Sequence, residues 1–286
     1  MSIEVKDLKY IYNQGMPGET TALDGISFSV KDPSVIGIIG HTGSGKSTLL
    51  QHLNGLIKPT SGEVYIDGEC ITGEKKNLTD IRRKIGLVFQ YPEYQLFEET
   101  VARDVAFGPK NLGIAEDDME RRVRKALDMV GLGYDEIAEQ SPFELSGGMK
   151  RRAAIAGVLA MEPSVLMLDE PTAGLDPQAH REILAMIKRV QREMNMIIIF
   201  VSHNMADIAD LSDRVLVMNC GRIVMDGSPK EVFAEKDKLK EMGLSIPPAA
   251  DMAGIIAECR EGFKSNPLSI RELAEDIKAF QRNTAK

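Results

Sequence analysis

The apolar run Val35-Ile36-Gly37-Ile38-Ile39 leads straight into Gly40-His41-Thr42-Gly43-Ser44-Gly45-Lys46-Ser47. Glycines at this spacing let the backbone curl until successive N–H groups point inward at phosphate oxygens. A helix starting at Lys46 adds its positive N-terminal end. Lys46 then reaches the outer phosphates, and the Ser47 hydroxyl is placed to ligate Mg²⁺. Such a loop works only between a strand and a helix, so the chain folds around an α/β sheet. The pattern predicts a bound nucleoside triphosphate, ATP, on Gly40, His41, Thr42, Gly43, Ser44, Gly45, Lys46, Ser47 and Thr48.

The rest of the chain alternates short β-rich runs with longer helical stretches. Strands are expected at Ile3 to Tyr12, Thr21 to Val30, Gly62 to Asp67 and Ile85 to Phe89. From Tyr91 to about Ala160 the strand signal gives way to helical patterns, which predicts a helical subdomain inserted into the sheet domain. Strands resume at Val165 to Leu168, Met196 to Val201 and Arg214 to Met218. A helix with Ile183, Leu184, Ile187, Val190 and Met194 on one side lies between the first two. After Phe233 the character changes. Gly243 to Pro248 reads as a linker, followed by two amphipathic helices. Met252, Ile255, Ile256, Cys259 and Phe263 are expected to share the apolar face of the first, and Ile270, Leu273, Ile277 and Phe280 that of the second. Ser269 and Glu272 have the spacing of a capping box.

Composition limits the partners. The 286 residues carry a net charge of −8, whereas a nucleic-acid binder needs a surplus of Lys and Arg, so no nucleic-acid partner is expected. The strongest apolar run, Met196 to Val201, is far short of the roughly 20 residues that cross a bilayer. The N-terminal residues Met1-Ser2-Ile3-Glu4-Val5-Lys6 lack a basic-then-apolar signal pattern, so no signal segment is expected. The chain is therefore expected in the cytoplasm, with any membrane role peripheral. Cys70, Cys220 and Cys259 form no paired framework.

Val165-Leu166-Met167-Leu168-Asp169-Glu170 is a buried strand pattern that ends in adjacent carboxylates. Alternation sends the two side chains in different directions. Asp169 is the metal candidate and Glu170 the candidate general base toward an attacking water. No NKxD guanine-selecting motif is present.

Leu145-Ser146-Gly147-Gly148-Met149, followed by Lys150-Arg151-Arg152, resembles the LSGGQ signature of the ATP-binding-cassette (ABC) ATPases. Other motifs follow in that family's order. Gln90 is similar to the Q-loop glutamine, Gly174-Leu175-Asp176 to the D-loop, His203 to the switch histidine, and Tyr12 to the aromatic residue that stacks on adenine. The resemblance implies a P-loop NTPase of the ABC ATPase type over residues 1–235. Its parts would be a RecA-like mixed sheet core, an antiparallel β subdomain and an inserted helical subdomain at about 91–160. A small α-helical extension, serving dimerisation, would occupy 236–286. It implies catalytic roles for Glu170, His203 and Gln90, with Mg²⁺ on Ser47, Gln90 and Asp169. By the same likeness two such ATPases pair head to tail. Ser146, Gly147 and Gly148 then grip the γ-phosphate held by the partner, and Asp176 belongs to the same junction. Position 149 departs from the family in carrying Met for Gln. The phosphate contacts fall to Ser146 and the glycines.

Within the family, Gln90-Tyr91-Pro92-Glu93-Tyr94-Gln95-Leu96-Phe97 and Phe107-Gly108-Pro109-Lys110-Asn111-Leu112-Gly113 resemble the energy-coupling factor (ECF) importer ATPases of the cobalt or CbiO type. The second, A-prime, ATPase of that module is the nearest match. The likeness implies a sister ATPase or a second copy, a transmembrane coupling protein and a membrane substrate-binding protein. The chain would sit on the cytoplasmic face of the cell membrane and drive uptake of a vitamin or a transition-metal ion. The alternatives are the ATPase of another ABC transporter and a soluble ABC regulatory ATPase. The remaining histidines read as bystanders. His41 is expected to point out of its loop, and His52 and His180 to lie on helix surfaces. Glu116-Asp117-Asp118 suits the start of a helix.

Overall fold

The computed structural model describes residues 2–73, 78–260 and 262–284. Among these, four strands form an antiparallel sheet: β1 (Ile3–Tyr12), β2 (Thr20–Val30), β4 (Ser61–Ile66) and β5 (Glu69–Cys70), in the order β2-β1-β4-β5. A six-stranded mixed sheet holds β3 (Val35–Ile39), β6 (Ile85–Val88), β7 (Val165–Asp169), β8 (Ile197–Val201), β9 (Arg214–Asn219) and β10 (Arg222–Gly227). Its order is β10-β9-β3-β8-β7-β6, with β10 antiparallel to β9 and the other pairings parallel.

β3, β7 and β8 are buried along their whole length, which explains their unbroken apolar sequences. Alternation along each strand sorts the side chains into two cores. Ile36, Ile38, Val165 and Met167 face the antiparallel sheet, packing with Ile3, Leu8, Leu23 and Leu49. Val35, Ile39, Leu166 and Leu168 face the helices on the other side. The order places β3 between β8 and β9, so its C-terminal end opens at the middle of the sheet edge where α/β proteins hold ligands.

Helix α1 (Lys46–Leu53) follows β3, and α2 (Leu78–Lys84) precedes β6. Between β6 and β7 come α3 (Val101–Asn111), α4 (Glu116–Met129), α5 (Tyr134–Ile137) and α6 (Gly147–Leu159), joined through Val101, Val105, Val123, Leu127 and Ile155. Glu116, Asp117 and Asp118 do occupy the first turn of α4. Helix α7 (Pro177–Met194) buries Ile183, Met186, Ile187 and Val190. After it come α8 (Met205–Leu211) and α9 (Pro229–Ala234). β5, β10 and α2 went unseen in the sequence. β10 alternates exposed and half-buried positions, a pattern with little apolar signal.

The C-terminal region differs from the sequence reading. Helices α10 (Lys236–Glu241), α11 (Pro248–Cys259) and α12 (Ile270–Thr284) follow α9. The presumed linker is packed: Leu244 and Ile246 are buried in the main core together with Leu239 and Ala250. Pro247 and Pro248 begin α11, because a proline at the first helical turn loses no hydrogen bond. The inward face of α11 is made of Ala249, Ala250 and Ala253. Met252 and Ile255 stay 52% and 57% exposed, contrary to the expected face. Small residues let α11 approach the domain closely, which leaves the larger apolar ones outside. On α12, Leu273 is buried with Phe263, while Ile270 is exposed. Ser269 Oγ accepts the Glu272 N–H, and the Glu272 carboxylate accepts from Leu268 N–H rather than from Ser269 itself.

Candidate functional site

The loop after β3 closes on itself. Ser44 N–H donates to the His41 carbonyl at 3.1 Å, and Lys46 Nζ donates to the Gly40 and His41 carbonyls at 2.8 and 3.0 Å. Gly43 and Gly45 lie in the left-handed region, at φ 82° and 101°. A Cβ at Gly45 would also collide with the Ala22 carbonyl, so position 45 requires glycine twice over. Burial holds the Lys46 pKa below its ordinary value, against the pull of Glu170 and Asp169. Ser44 Oγ is buried with no hydrogen-bond partner. The glycine-rich turn, the Lys46 ammonium at its centre and the orphaned Ser44 hydroxyl suit a polyanion.

Tyr12 stands beside the start of α1, its hydroxyl 3.2 Å from Thr48 Oγ1 and its ring edge-on to Tyr10 at 4.7 Å. Two histidines near the loop are not bystanders. The ring of His41 folds back, with Nε2 3.0 Å from Asn219 Oδ1 and Nδ1 2.7 Å from the Thr42 carbonyl. His52 is fully buried between α1 and the antiparallel sheet, bonded through Nδ1 to the Thr48 carbonyl and packed on Tyr10. Burial lowers its pKa. A short helix between two layers has little free surface.

β7 ends at Asp169, buried at the sheet edge. Glu170 turns into the left-handed region at φ 52°, held by its N–H to the Val201 carbonyl and by Ala173 N–H donating to its own carbonyl. His203 Nε2 lies 3.5 Å from Glu170 Oε1, an ion-pair distance without a hydrogen bond. Burial raises the Glu170 pKa to about 7. The backbone N–H of His203 and the Lys46 charge oppose the rise, and Asp169 adds to it. The His203 pKa is lowered, by burial first and then by Lys46. Lys46, Asp169, Glu170 and His203 thus share one electrostatic site at the ends of β3, β7 and β8. Gln90 follows β6 by two residues and is exposed. Ser47, Asp169 and Gln90 offer hard oxygen donors of the kind Mg²⁺ takes, with Asp169 electrostatically coupled to Lys46, so the residues present fit that ion.

Ser146 caps α6, its hydroxyl accepting from Met149 N–H. Gly148 packs closely on α7, where an added Cβ would stand 2.9 Å from Ala179 Cβ, while one at Gly147 would meet nothing within 4 Å. Ser146 and Gly147 are exposed, and Met149 is half-buried against the helical core. Asp176 caps α7, accepting from Gln178 and Ala179 N–H at 2.8 and 3.0 Å; these bonds lower its pKa.

His180, expected on a surface, is half-buried with Nε2 2.9 Å from Asp207 Oδ1. Asp207 is buried, which raises its pKa, and accepts from the Thr172 hydroxyl. Sequence reasoning also missed Arg151, which is 1% exposed and paired with Glu93. Inside the basic run Lys150-Arg151-Arg152 nothing marked the middle cation as interior.

Fold and site together define an ATP-binding-cassette ATPase. Residues 23–173 match the family model described as ABC transporter. The energy-coupling factor transporter ATP-binding protein EcfA2 of Caldanaerobacter subterraneus subsp. tengcongensis is 52% identical over 284 residues, 99% of each chain. The protein of the same name from Clostridium tetani is 49% identical over 285 residues, covering 100% of this chain and 99% of its own. Among solved structures, cbiO1 of Clostridium perfringens, part of the ABC transporter complex cbiONQ, superposes with a TM-score of 0.75 at 41% identity, over 90% of this chain and 98% of that one. A dimeric cassette in a post-hydrolysis state bound to ADP and Pi matches 79% of this chain and 98% of its own at a TM-score of 0.70 and 29% identity. The chain belongs to the ABC transporter family, within the branch of energy-coupling factor transporter ATP-binding proteins. It binds and hydrolyses ATP.

Proposed function

We propose that this chain is one half of a two-ATPase motor of an ECF importer, pairing head to tail with a sister ATPase or a second copy of itself. The observation that supports this reading best is the site divided between two surfaces. One carries Lys46, Asp169, Glu170 and His203, and the other carries the exposed Ser146–Gly147 corner at the start of α6. In the paired state the Ser146 hydroxyl, the Gly147 and Gly148 N–H groups and the positive end of α6 close over the γ-phosphate held by the partner.

In the chain's own half, Gly40, His41, Thr42, Gly43, Ser44 and Gly45 wrap the phosphates, with Lys46 between them and Ser47 and Thr48 at the start of α1. Tyr12 offers a face to the adenine. Mg²⁺ held by Ser47, Asp169 and Gln90 would supply positive charge to the phosphate oxygens. Glu170 orients the attacking water and takes its proton, His203 fixes the γ-phosphate, and Gln90 links the site to the helical region. Asp176 keeps the start of α7 in place at the junction. These are positioning and electrostatic roles, which is where phosphoryl transfer gains its rate.

The membrane partners are a coupling protein and a small substrate-binding protein, with a vitamin or transition-metal ion as cargo. The chain is peripheral, on the cytoplasmic face. Among the described residues no helix is long and apolar enough to cross a membrane. A docking face for short helices of the coupling protein lies around Gln90 to Phe97, where Tyr94 and Phe97 are exposed and Phe97 meets Phe107 edge-on at 4.8 Å. Residues 236–286 help hold the two ATPases together through the exposed side of α11. Affinity purification of the tagged chain from detergent-solubilised membranes of its source tests the assembly. Recovery of a second ATPase with integral membrane proteins is the expected result. Recovery of soluble partners alone, from an intact bait, overturns it.

A further inference from the structure

Arg151 sits on α6, just over one turn beyond the Ser146 cap, and is the largest fully buried side chain among the described residues. Its guanidinium is divided between two segments that are distant in sequence. Nε and Nη2 hold the Glu93 carboxylate at 3.0 and 2.6 Å, in the short 3₁₀ helix Pro92–Gln95 just after Gln90. Nη1 donates to the Pro171 and Ala173 carbonyls at 3.1 and 2.6 Å. Those carbonyls belong to the turn that Glu170 opens, which Ala173 N–H closes onto the Glu170 carbonyl. The Tyr91 ring, one residue after Gln90, also lies 5.8 Å from the Arg151 guanidinium carbon, measured to the ring centroid.

A surface lysine-like role does not explain this arrangement. Four of the five guanidinium N–H directions are used, two in a planar fork on a carboxylate and two on main-chain oxygens, a geometry an ammonium cannot reproduce. Taking a charge out of water is costly unless every partner is well placed, so the pair fixes the relative position of whatever it joins.

We propose that Arg151 is a positioning residue that ties the loop of Gln90 and the signature helix to the turn bearing Glu170, so that these parts of the site move as one unit. The inference rests on the reading of Glu170 as the general base. When α6 closes on a nucleotide, the shift reaches the Pro171 and Ala173 carbonyls through one rigid side chain. The catalytic carboxylate is then aligned only when the signature helix and the loop after β6 are themselves in place. Without the tether, nucleotide still binds at residues 40–48, but Glu170 is held less well.

The test compares full-length wild type, Arg151→Lys, Glu93→Gln and Ile155→Val, each in the assembly in which wild type turns over. Ile155 is a fully buried apolar residue of the same helix and controls for general loosening. Readouts are kcat, KM and Mg-ATP affinity. Misplacing a reacting group by about 1 Å costs on the order of 100-fold. Arg151→Lys and Glu93→Gln are expected to lose about 10-fold or more in kcat, with KM and ATP affinity within about twofold. Ile155→Val keeps kcat, KM and ATP affinity at wild-type values. A kcat within about twofold of wild type in folded Arg151→Lys overturns the proposal. So does loss of ATP affinity in parallel with kcat, or failure of both charge variants to fold, since either marks the pair as structural only. Glu170→Gln is measured alongside. If it turns over normally, the reading of the site fails, whereas an inactive Glu170→Gln beside an active Arg151→Lys removes the tether alone.

Discussion

Glu170 and His203 face each other across the ends of β7 and β8, with Nε2 3.5 Å from Oε1. The pair is asymmetric. Burial pushes the glutamate up to about 7 and pushes the histidine below its ordinary value, so both favour their neutral forms. A base that must be ionised to accept a proton therefore titrates inside the physiological range. kcat/KM for ATP should fall as pH drops through about 7, since that ratio reports the free enzyme. The check is a pH–rate profile between pH 5.5 and 8.5. A flat profile down to pH 5.5 would contradict the burial argument.

The same shift has a consequence for stability. The folded state binds the Glu170 proton more tightly than the unfolded chain does, so stability is greatest below the unfolded value of 4.5 and is lost as pH rises through about 7. Glu170→Gln removes that loss. Without nucleotide, the variant should be more stable than wild type at pH 8 by on the order of 2 kcal/mol, and by much less at pH 5. Thermal melts at the two pH values measure the difference. An equal shift at both would assign the effect to packing.

Gly147 and Gly148 separate association from folding. A Cβ at Gly147 meets nothing within 4 Å, whereas one at Gly148 would stand 2.9 Å from Ala179 Cβ. Gly147→Ala should leave the melting curve of the isolated chain within about 0.5 kcal/mol of wild type. Gly148→Ala should lose about 1–3 kcal/mol through overpacking. Both should lower turnover more than tenfold, because the added methyl at 147 points where the partner's nucleotide is proposed to lie. Wild-type turnover by Gly147→Ala would argue against a trans contact.

The exposed side of α11 gives a prediction for the extension. Ile255→Glu places a charge on a surface already more than half open to solvent. The fold should tolerate it to within about 0.5 kcal/mol. Association of the two ATPases, followed by analytical ultracentrifugation, should weaken about tenfold or more. Unchanged association would remove α11 from the interface.

The phosphate loop and the strand ending in Asp169-Glu170 were legible because each is a contiguous run whose chemistry depends on local spacing. β3, β7 and β8 were legible for the same reason, as buried parallel strands are apolar at every position. Arg151 and His52 were not. Each looks polar and superficial in sequence, and only the packing of α6 and α1 between other layers puts it inside. Asp207 and His180 pair across 27 residues, from two helices whose angle no local pattern encodes. The face of α11 was misread because the large residues Met252 and Ile255 outweighed the alanines in the pattern. Close approach to the domain selects the smaller side chains.

The most direct test of the account is ATP hydrolysis by Glu170→Gln in the assembled two-ATPase state, measured together with Mg-ATP binding. The account predicts that turnover falls by about 100-fold or more, in line with loss of a general base, while ATP binding at the Lys46 loop persists. Hydrolysis within about twofold of wild type would contradict it and take the catalytic role away from Glu170.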